Sequence, residues 1–206
     1  MSRKEWGLLL GLLLAVVVVF GVLGYLFLQP TPPAPALPSP EATYTLEATV
    51  TAKTTYPLAQ EVARTRQPDV QLASVSATWA ETNVKRVGEP AVWTFQFYSP
   101  TANRTYTVVV DRGQARVIRE TIPPYPSTPI PEEGWPVDST QALNTWLNYG
   151  GSKFLMEHLA GTQVVAQLAT LPEGSRATWT VVGLSERGQA YFTLLVDAAT
   201  GAPRTP

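Results

Sequence analysis

The chain has 206 residues, no cysteine, one histidine and a formal net charge of −1. The lack of cysteine excludes disulfides, thiolate metal sites, a cysteine nucleophile and lipid attachment to cysteine. The near-neutral charge excludes the uniformly basic surface that binds nucleic acid, and the single histidine argues against a histidine-rich metal site. We therefore expect neither a nucleic-acid partner nor a cofactor.

An apolar segment stands at the start of the chain, at residues 6–28. Its 23 residues carry no charge and 19 of them are hydrophobic. A helix of this length crosses a bilayer core, so the segment predicts a single transmembrane helix. Because Arg3 and Lys4 precede it, we expect residues 1–5 in the cytoplasm and the rest outside. A cleavable signal peptide is the alternative, since residues 34–36 resemble a cleavage site, but the apolar run is too long for one.

Small side chains recur along this predicted helix. Gly7, Gly11 and Ala15 lie four residues apart and would share one face, which could let two membrane helices pack closely. Small residues are also common in anchors that contact no other helix. The face is therefore a candidate packing surface that competes with a plain anchor.

Two proline clusters divide the remaining chain. Six of the eleven residues at 30–40 are proline, and such a segment prefers an extended backbone, so residues 29–40 predict a stiff stalk. The second cluster predicts an interdomain linker at residues 123–135. The modules that it separates would be residues 41–122 and 136–206.

The two predicted modules resemble each other in sequence. Two pairs of blocks share an offset of 86 residues and a third has an offset of 96, which indicates an internal repeat. The paired blocks are Trp93–Phe95 with Trp179–Val181, Tyr106–Asp111 with Phe192–Asp197, and, at the offset of 96, Val70–Ala73 with Ala166–Ala169.

The hydrophobic pattern predicts an α+β fold in which each module places a helix on an antiparallel sheet. Trp93, Phe95 and Phe97 alternate with polar residues, which gives one apolar face and one threonine-rich face. In the second module Asp138 followed by Gln141 predicts a capped helix start, and Gly150-Gly151 a stop. In the first, a shorter helix is expected from about Leu58 to Arg66, preceded by an extra strand at residues 43–52.

The order helix, strand, strand, strand, ending in the sequence Val-Asp-Ala-Ala-Thr-Gly at residues 196–201, resembles the PepSY-like domains of bacterial envelope proteins. The first module is the looser match, because Asp111 and Gly113 are kept but the threonine is not. The resemblance implies a cystatin-like helix on a small antiparallel sheet. It also implies a noncatalytic binding or regulatory module outside the membrane.

Few residues suggest chemistry. Asp111 and Asp197 occupy matched places before turns, where an aspartate commonly binds the turn backbone. His158 has no second histidine to share a metal, and no G-x-S-x-G motif accompanies it. Glu132-Glu133 lies among prolines and is interpreted as a solvated charge pair. We therefore predict that the protein is not an enzyme, with an envelope hydrolase as the weakest alternative.

The tryptophans point to packing more than to binding. Trp93, Trp146 and Trp179 lie on apolar stripes and are expected in the core, whereas Trp135 lies between prolines. Trp135, together with Lys85 and Arg86 in the predicted loop at residues 81–90, is the candidate partner contact.

The sequence thus predicts a membrane-anchored, extracytoplasmic module that binds an envelope protein or peptide, through open sheet edges or threonine-rich faces. The alternative is a small accessory subunit of a larger membrane complex. The oligomeric state stays open.

Overall fold

The computed structural model describes residues 50–79, 92–158, 162–171, 176–185 and 190–204. The described residues belong to one compact unit. The predicted transmembrane helix, the stalk and most of the predicted first strand lie outside the described residues. In the part of the chain that is described, no helix is long and apolar enough to cross a membrane.

The described chain is an α+β fold built on one antiparallel sheet of eight strands. Helix α1 covers one part of the sheet, and the broken helix α2–α3 covers the other. The helices are α1 Ala52–Arg64, α2 Ser139–Trp146 and α3 Ser152–Glu157, and the strands are β1 Gln71–Trp79, β2 Val92–Ser99, β3 Arg104–Asp111, β4 Gln114–Thr121, β5 Gln163–Thr170, β6 Ala177–Leu184, β7 Tyr191–Asp197 and β8 Pro203–Arg204.

The strand order is β4-β3-β2-β1-β5-β6-β7-β8. Each half is therefore a meander that starts at the centre and runs outward, and the first strands of the two halves pair with each other. At the centre Ser76 lies opposite Gln167. The halves thus pack together through backbone hydrogen bonds within one sheet.

The strand registers test the sequence matches directly. Trp93 lies opposite Val110 in the β2–β3 pair, and Trp179 lies opposite Val196 in the β6–β7 pair. Trp93 and Trp179 are 86 residues apart, and so are their partners Val110 and Val196. The β2–β3 and β6–β7 pairs therefore have the same register at this offset.

The third match is wrong. Ala77 lies opposite Trp93, and the residue opposite Trp179 is Leu168, which gives β1 and β5 an offset of 91 (168 against 77) where 96 was expected. An irregularity in β1 between Leu72 and Ser74 changes this offset by a single residue, so the expected value of 96 is reached on neither side of it. The similar amino acids at residues 70–73 and 166–169 therefore do not occupy equivalent positions in the two halves.

Helix α1 begins six residues earlier than predicted. The hydroxyl of Thr51 accepts a hydrogen bond from the amide of Thr54, and the Thr54 hydroxyl accepts one from the amide of Thr51. This reciprocal cap makes Ala52, the last residue of the predicted strand, the first residue of the helix. Pro57 stands inside the helix, on its exposed side, where the sequence pattern suggests a helix start instead.

The second helix starts where the sequence predicts. Asp138 and Gln141 form a capping box, and the chain kinks at Gly150, whose φ is 118°. The kink lets α3 turn back onto the sheet. A Cβ atom on Gly151 would clash with Cε3 of Trp146, so that ring lies directly against the backbone of the kink.

The apolar faces of both halves meet in one core. Trp93, Trp146 and Trp179 are at most 1 % exposed, as predicted. The end of the proline-rich segment also enters this core through Ile130 and Trp135. The predicted linker at residues 123–135 is therefore partly a structural element of the compact unit, because two of its side chains are buried against the sheet.

The other face of the sheet is polar, as expected. Side chains directly opposite each other on paired strands lie on the same face, so the registers define a row across all eight strands. The row runs Arg116, Val109, Thr94, Ser76, Gln167, Thr180, Leu195 and Arg204.

Candidate functional site

The two matched aspartates have different surroundings. Oδ1 of Asp197 accepts hydrogen bonds from the amides of Ala199 and Thr200, at 2.9 and 3.0 Å. Burial alone would raise the pKa of this carboxyl, but those hydrogen bonds and Arg204 hold it below its usual value. Asp197 is thus a turn residue, as predicted.

Asp111 does not repeat this arrangement. Its turn is shorter, since Gln114 already pairs with it, and its carboxylate lies 3.9 Å from Nε of the exposed Arg112. It is half-buried and makes no turn hydrogen bond within the described chain. The equal sequence positions therefore conceal two different turns, and only the second uses the carboxylate.

His158 lies at the end of α3, beside Phe154, with 4.8 Å between the ring centroids. Its backbone carbonyl accepts a hydrogen bond from Thr162. Among the described residues no group of three or more histidine, aspartate or glutamate side chains could hold a metal ion. The neighbourhood of His158 thus supports packing.

Trp135 is a core residue, which corrects its interpretation as a partner contact. It is 1 % exposed, its ring meets Tyr56 edge to face at 5.6 Å, and Nζ of Lys53 lies 5.2 Å from its centroid. The proline-rich chain passes over the sheet and inserts this ring, so the side chain is not available at the surface. Lys85 and Arg86, like Gly7, Gly11 and Ala15, lie outside the described residues and stay predictions.

A cleft of about 350 Å³ opens between α1, the start of β1 and the segment at residues 129–133. Tyr56 lies in it, with its phenolic oxygen accepting a hydrogen bond from Gln60 at 2.6 Å. Burial raises the pKa of this phenol, and Glu132 raises it further. Arg64 and Glu133 complete the charged rim. The cleft contains one buried phenol and no nucleophile with an adjacent base.

The edges of the sheet are the accessible backbone of the fold. Because β1 pairs with β5, the first strand of each half is not an edge. The described sheet ends in β4 on one side and, on the other, in β8 together with residues 191–194 of β7, which β8 does not cover. Strand β8 has two residues, Pro203 and Arg204, and proline has no N–H to offer. That side of the sheet therefore offers only two short stretches of open edge, four residues of β7 and the two residues of β8.

Strand β4 is a full edge of eight residues. At about 3.3 Å per residue it offers roughly 26 Å of backbone. Ile118 is 53 % exposed and Ile122, just beyond the strand, is 69 % exposed. An irregularity separates Val117 and Arg119 and leaves Ile118 without an opposite residue, a device that protects edges but leaves most of the strand accessible.

The charges of β4 are not balanced. Arg116 and Arg119 lie opposite Val109 and Thr107, so both side chains are on the polar face. Both are exposed, and neither has an ion pair within the described chain. Glu120 is on the other face, where it pairs with Arg104. The polar side of the edge therefore carries two arginines with no acidic partner.

The amino-acid sequence does not by itself single out β4. It anticipates open edges in general, but which strands become edges depends on pairing between distant segments. The available signal is local: β4 carries charges on alternate sides and ends before the pair Pro123 and Pro124, a pattern typical of an edge strand.

Comparison with known proteins gives one match. No protein-family model matches the chain, and no curated protein matches it. Among solved structures, a "putative lipoprotein" from Clostridium difficile 630 is similar over 82 % of this chain and 97 % of that chain, at 12 % identity and a TM-score of 0.46. This level of similarity establishes neither a shared family nor a shared activity.

Proposed function

We propose that this protein is a noncatalytic binding module that receives an extended segment of another protein at β4, as a ninth strand of its sheet. The observation that carries the proposal is the contrast between the two edges. One is divided between four uncovered residues of β7 and the two-residue β8 with its proline, whereas the other is a continuous strand of eight residues and partly apolar. Strand addition needs such an edge, because its affinity comes from main-chain hydrogen bonds.

The rest of the fold supports a rigid platform for this role. Strand β4 is continuous with a core that includes Trp93 and Phe95, both at most 1 % exposed. A guest strand would therefore meet a preformed backbone, which lowers the entropic cost of binding.

The proposal also covers where the module is located and which family it resembles. The predicted transmembrane helix at residues 6–28 would anchor it with its C-terminal part outside, and the guest would be a segment of an envelope protein. Each half runs from a helix through a meander, with the same β2–β3 and β6–β7 register. This supports the interpretation of two copies of one PepSY-like module.

The test uses the full chain in detergent micelles and a library of random linear peptides displayed on phage. Enriched peptides are then added to the protein, and amide hydrogen exchange is measured. We expect slower exchange at residues 114–121, because a guest strand would pair with these amides, and unchanged exchange at β8. A library that yields no binder, or binders that protect another region, would overturn the proposal.

A further inference from the structure

We propose, resting on the function above, that the guest at β4 is an acidic extended segment with carboxylate side chains at two alternate positions. The juxtaposition that carries this inference is Arg116 beside Arg119 on the polar side of an open edge. In the proposal the guest's backbone pairs with β4, and its carboxylates pair with these two guanidinium groups.

The spacing of the two arginines fits a strand. They lie opposite Val109 and Thr107, which are two residues apart on β3, so their positions along the strand direction differ by about 7 Å. The irregularity at Ile118 makes this possible, because it brings residues three apart in sequence to the same face. A guest strand presents every second side chain to that face at the same interval.

Within the described chain, no carboxylate near Arg116 and Arg119 forms an ion pair with either of them. On the same face β3 offers Thr105, Thr107 and Val109, which are uncharged. Asp111, the next residue on that face after Val109, lies beside Arg112 and makes no ion pair with Arg116 within the described chain. On the other face the carboxylate of Glu120 is already paired with Arg104. Arginine binds carboxylates through a planar pair of donors, so both side chains favour an acidic guest.

The same charges argue against a second copy of this chain as the guest. Pairing β4 with β4 would bring the Arg116 and Arg119 side chains of both copies onto one face. Like charges across a strand pair are destabilising. The edge thus disfavours self-association and favours a partner of opposite charge.

The experiment compares three synthetic eight-residue peptides that alternate valine with glutamate, glutamine or lysine, added to the full chain in micelles. Affinity is measured by calorimetry at low salt, and the site by hydrogen exchange at residues 114–121. We expect the glutamate peptide to bind about tenfold more tightly than the glutamine peptide, because two exposed ion pairs add to the same backbone pairing. This advantage should shrink at 0.5 M salt.

Variants locate the effect. The double variant Arg116→Gln/Arg119→Gln should bind the glutamate and glutamine peptides equally. The variant Arg176→Gln, which removes one positive charge at an exposed position before β6, should keep the tenfold preference. All three positions are exposed, so the fold should be unaffected.

The outcomes separate the two proposals. If glutamate and glutamine peptides bind with equal affinity and both protect β4, the acidic preference is wrong and strand addition stands. If no peptide protects β4, the proposed function itself fails. If β4 becomes protected without peptide as the protein concentration rises, a second copy is the occupant and the acidic guest is overturned.

Discussion

The backbone amide of Lys53, in the first turn of α1, donates a hydrogen bond to Oδ1 of Asp138, the N-cap of α2, at 3.2 Å. The same oxygen accepts from the amide of Ser139 at 2.6 Å. One carboxylate thus serves the amino ends of two helices, where backbone N–H groups lack partners within the helix. The hydroxyl of Ser139 adds to this contact by accepting from the amide of Ala52 at 3.2 Å.

The first prediction concerns this shared cap. Asp138→Ala should destabilise the fold by about 2 kcal/mol, at the upper end for an N-cap, because both helices lose an acceptor. Urea denaturation followed by circular dichroism measures this. Asp138→Asn keeps an acceptor oxygen and should cost less. Equal stability of the alanine variant and the parent would show that the shared contact contributes nothing.

The second prediction concerns the pH dependence of stability at Asp197. The pKa of this carboxyl is lowered in the folded state, so its charge stabilises the fold above the unfolded value of about 3.9. That stability is lost as the pH falls through the folded pKa. The difference between the parent and Asp197→Asn should therefore be present at pH 6 and shrink below about pH 4.

The matched control for this measurement is Asp111→Asn. Asp111 makes no hydrogen bond to its turn within the described chain and is half-exposed, so its replacement should change stability by less than about 0.5 kcal/mol at either pH. Denaturant titrations of both variants, each compared with the parent at both pH values, give the four stability differences. A pH-dependent loss of the same size in both variants would contradict the assignment of the charge effect to the longer turn.

The third prediction compares two buried indoles. Nε1 of Trp179 donates to the backbone carbonyl of Val137 at 2.9 Å, whereas Nε1 of Trp135 is buried and has no acceptor within the described chain. Trp179→Phe should therefore be more destabilising than Trp135→Phe by about 1–2 kcal/mol, because it leaves the buried carbonyl of Val137 without a hydrogen-bond donor. Thermal unfolding of both variants tests this, and the reverse order would refute it.

The fourth prediction concerns the packing of the broken helix against β6. A Cβ atom at Gly183 would lie 2.8 Å from ring atoms of both Phe154 and Trp146. Gly183→Ala should therefore destabilise the fold by about 1–3 kcal/mol through overpacking. Gly113→Ala is the control: nothing lies within 4 Å of its Cβ, and only its φ of 76° is unfavourable, which should cost about 1 kcal/mol. Denaturation midpoints of the two variants and the parent measure both losses of stability.

The fifth prediction concerns the centre of the sheet. A fragment of residues 41–122 would expose the backbone edge of β1 that pairs with β5 in the intact chain. It would also lose the contact of Tyr56 with Trp135. We expect neither this fragment nor residues 123–206 to unfold cooperatively alone, and mixing them should restore a transition. Unchanged melting temperatures in isolation would contradict a shared sheet.

The features that the sequence predicted well are local. Alternation placed Trp93, Phe95 and Phe97 on one face, because successive side chains of a strand point to opposite sides whatever strand lies beside it. The cap at Asp138 was predictable for the same reason, since its partner Gln141 is only three residues away. The β2–β3 and β6–β7 pairs share the register Trp93–Val110 and Trp179–Val196, which a match of nearby strands can capture because two successive strands are joined by a single turn.

What the amino-acid sequence determined by itself is therefore the two faces of each strand, the start of the second helix and the α+β class. Tertiary structure alone decided that β1 pairs with β5, that Trp135 is buried from a proline-rich segment, and that β4 is the open edge. The physical reason is that pairing and burial are competitions between segments far apart in sequence. Their outcome depends on the shape of the whole core, which no local pattern of side chains contains.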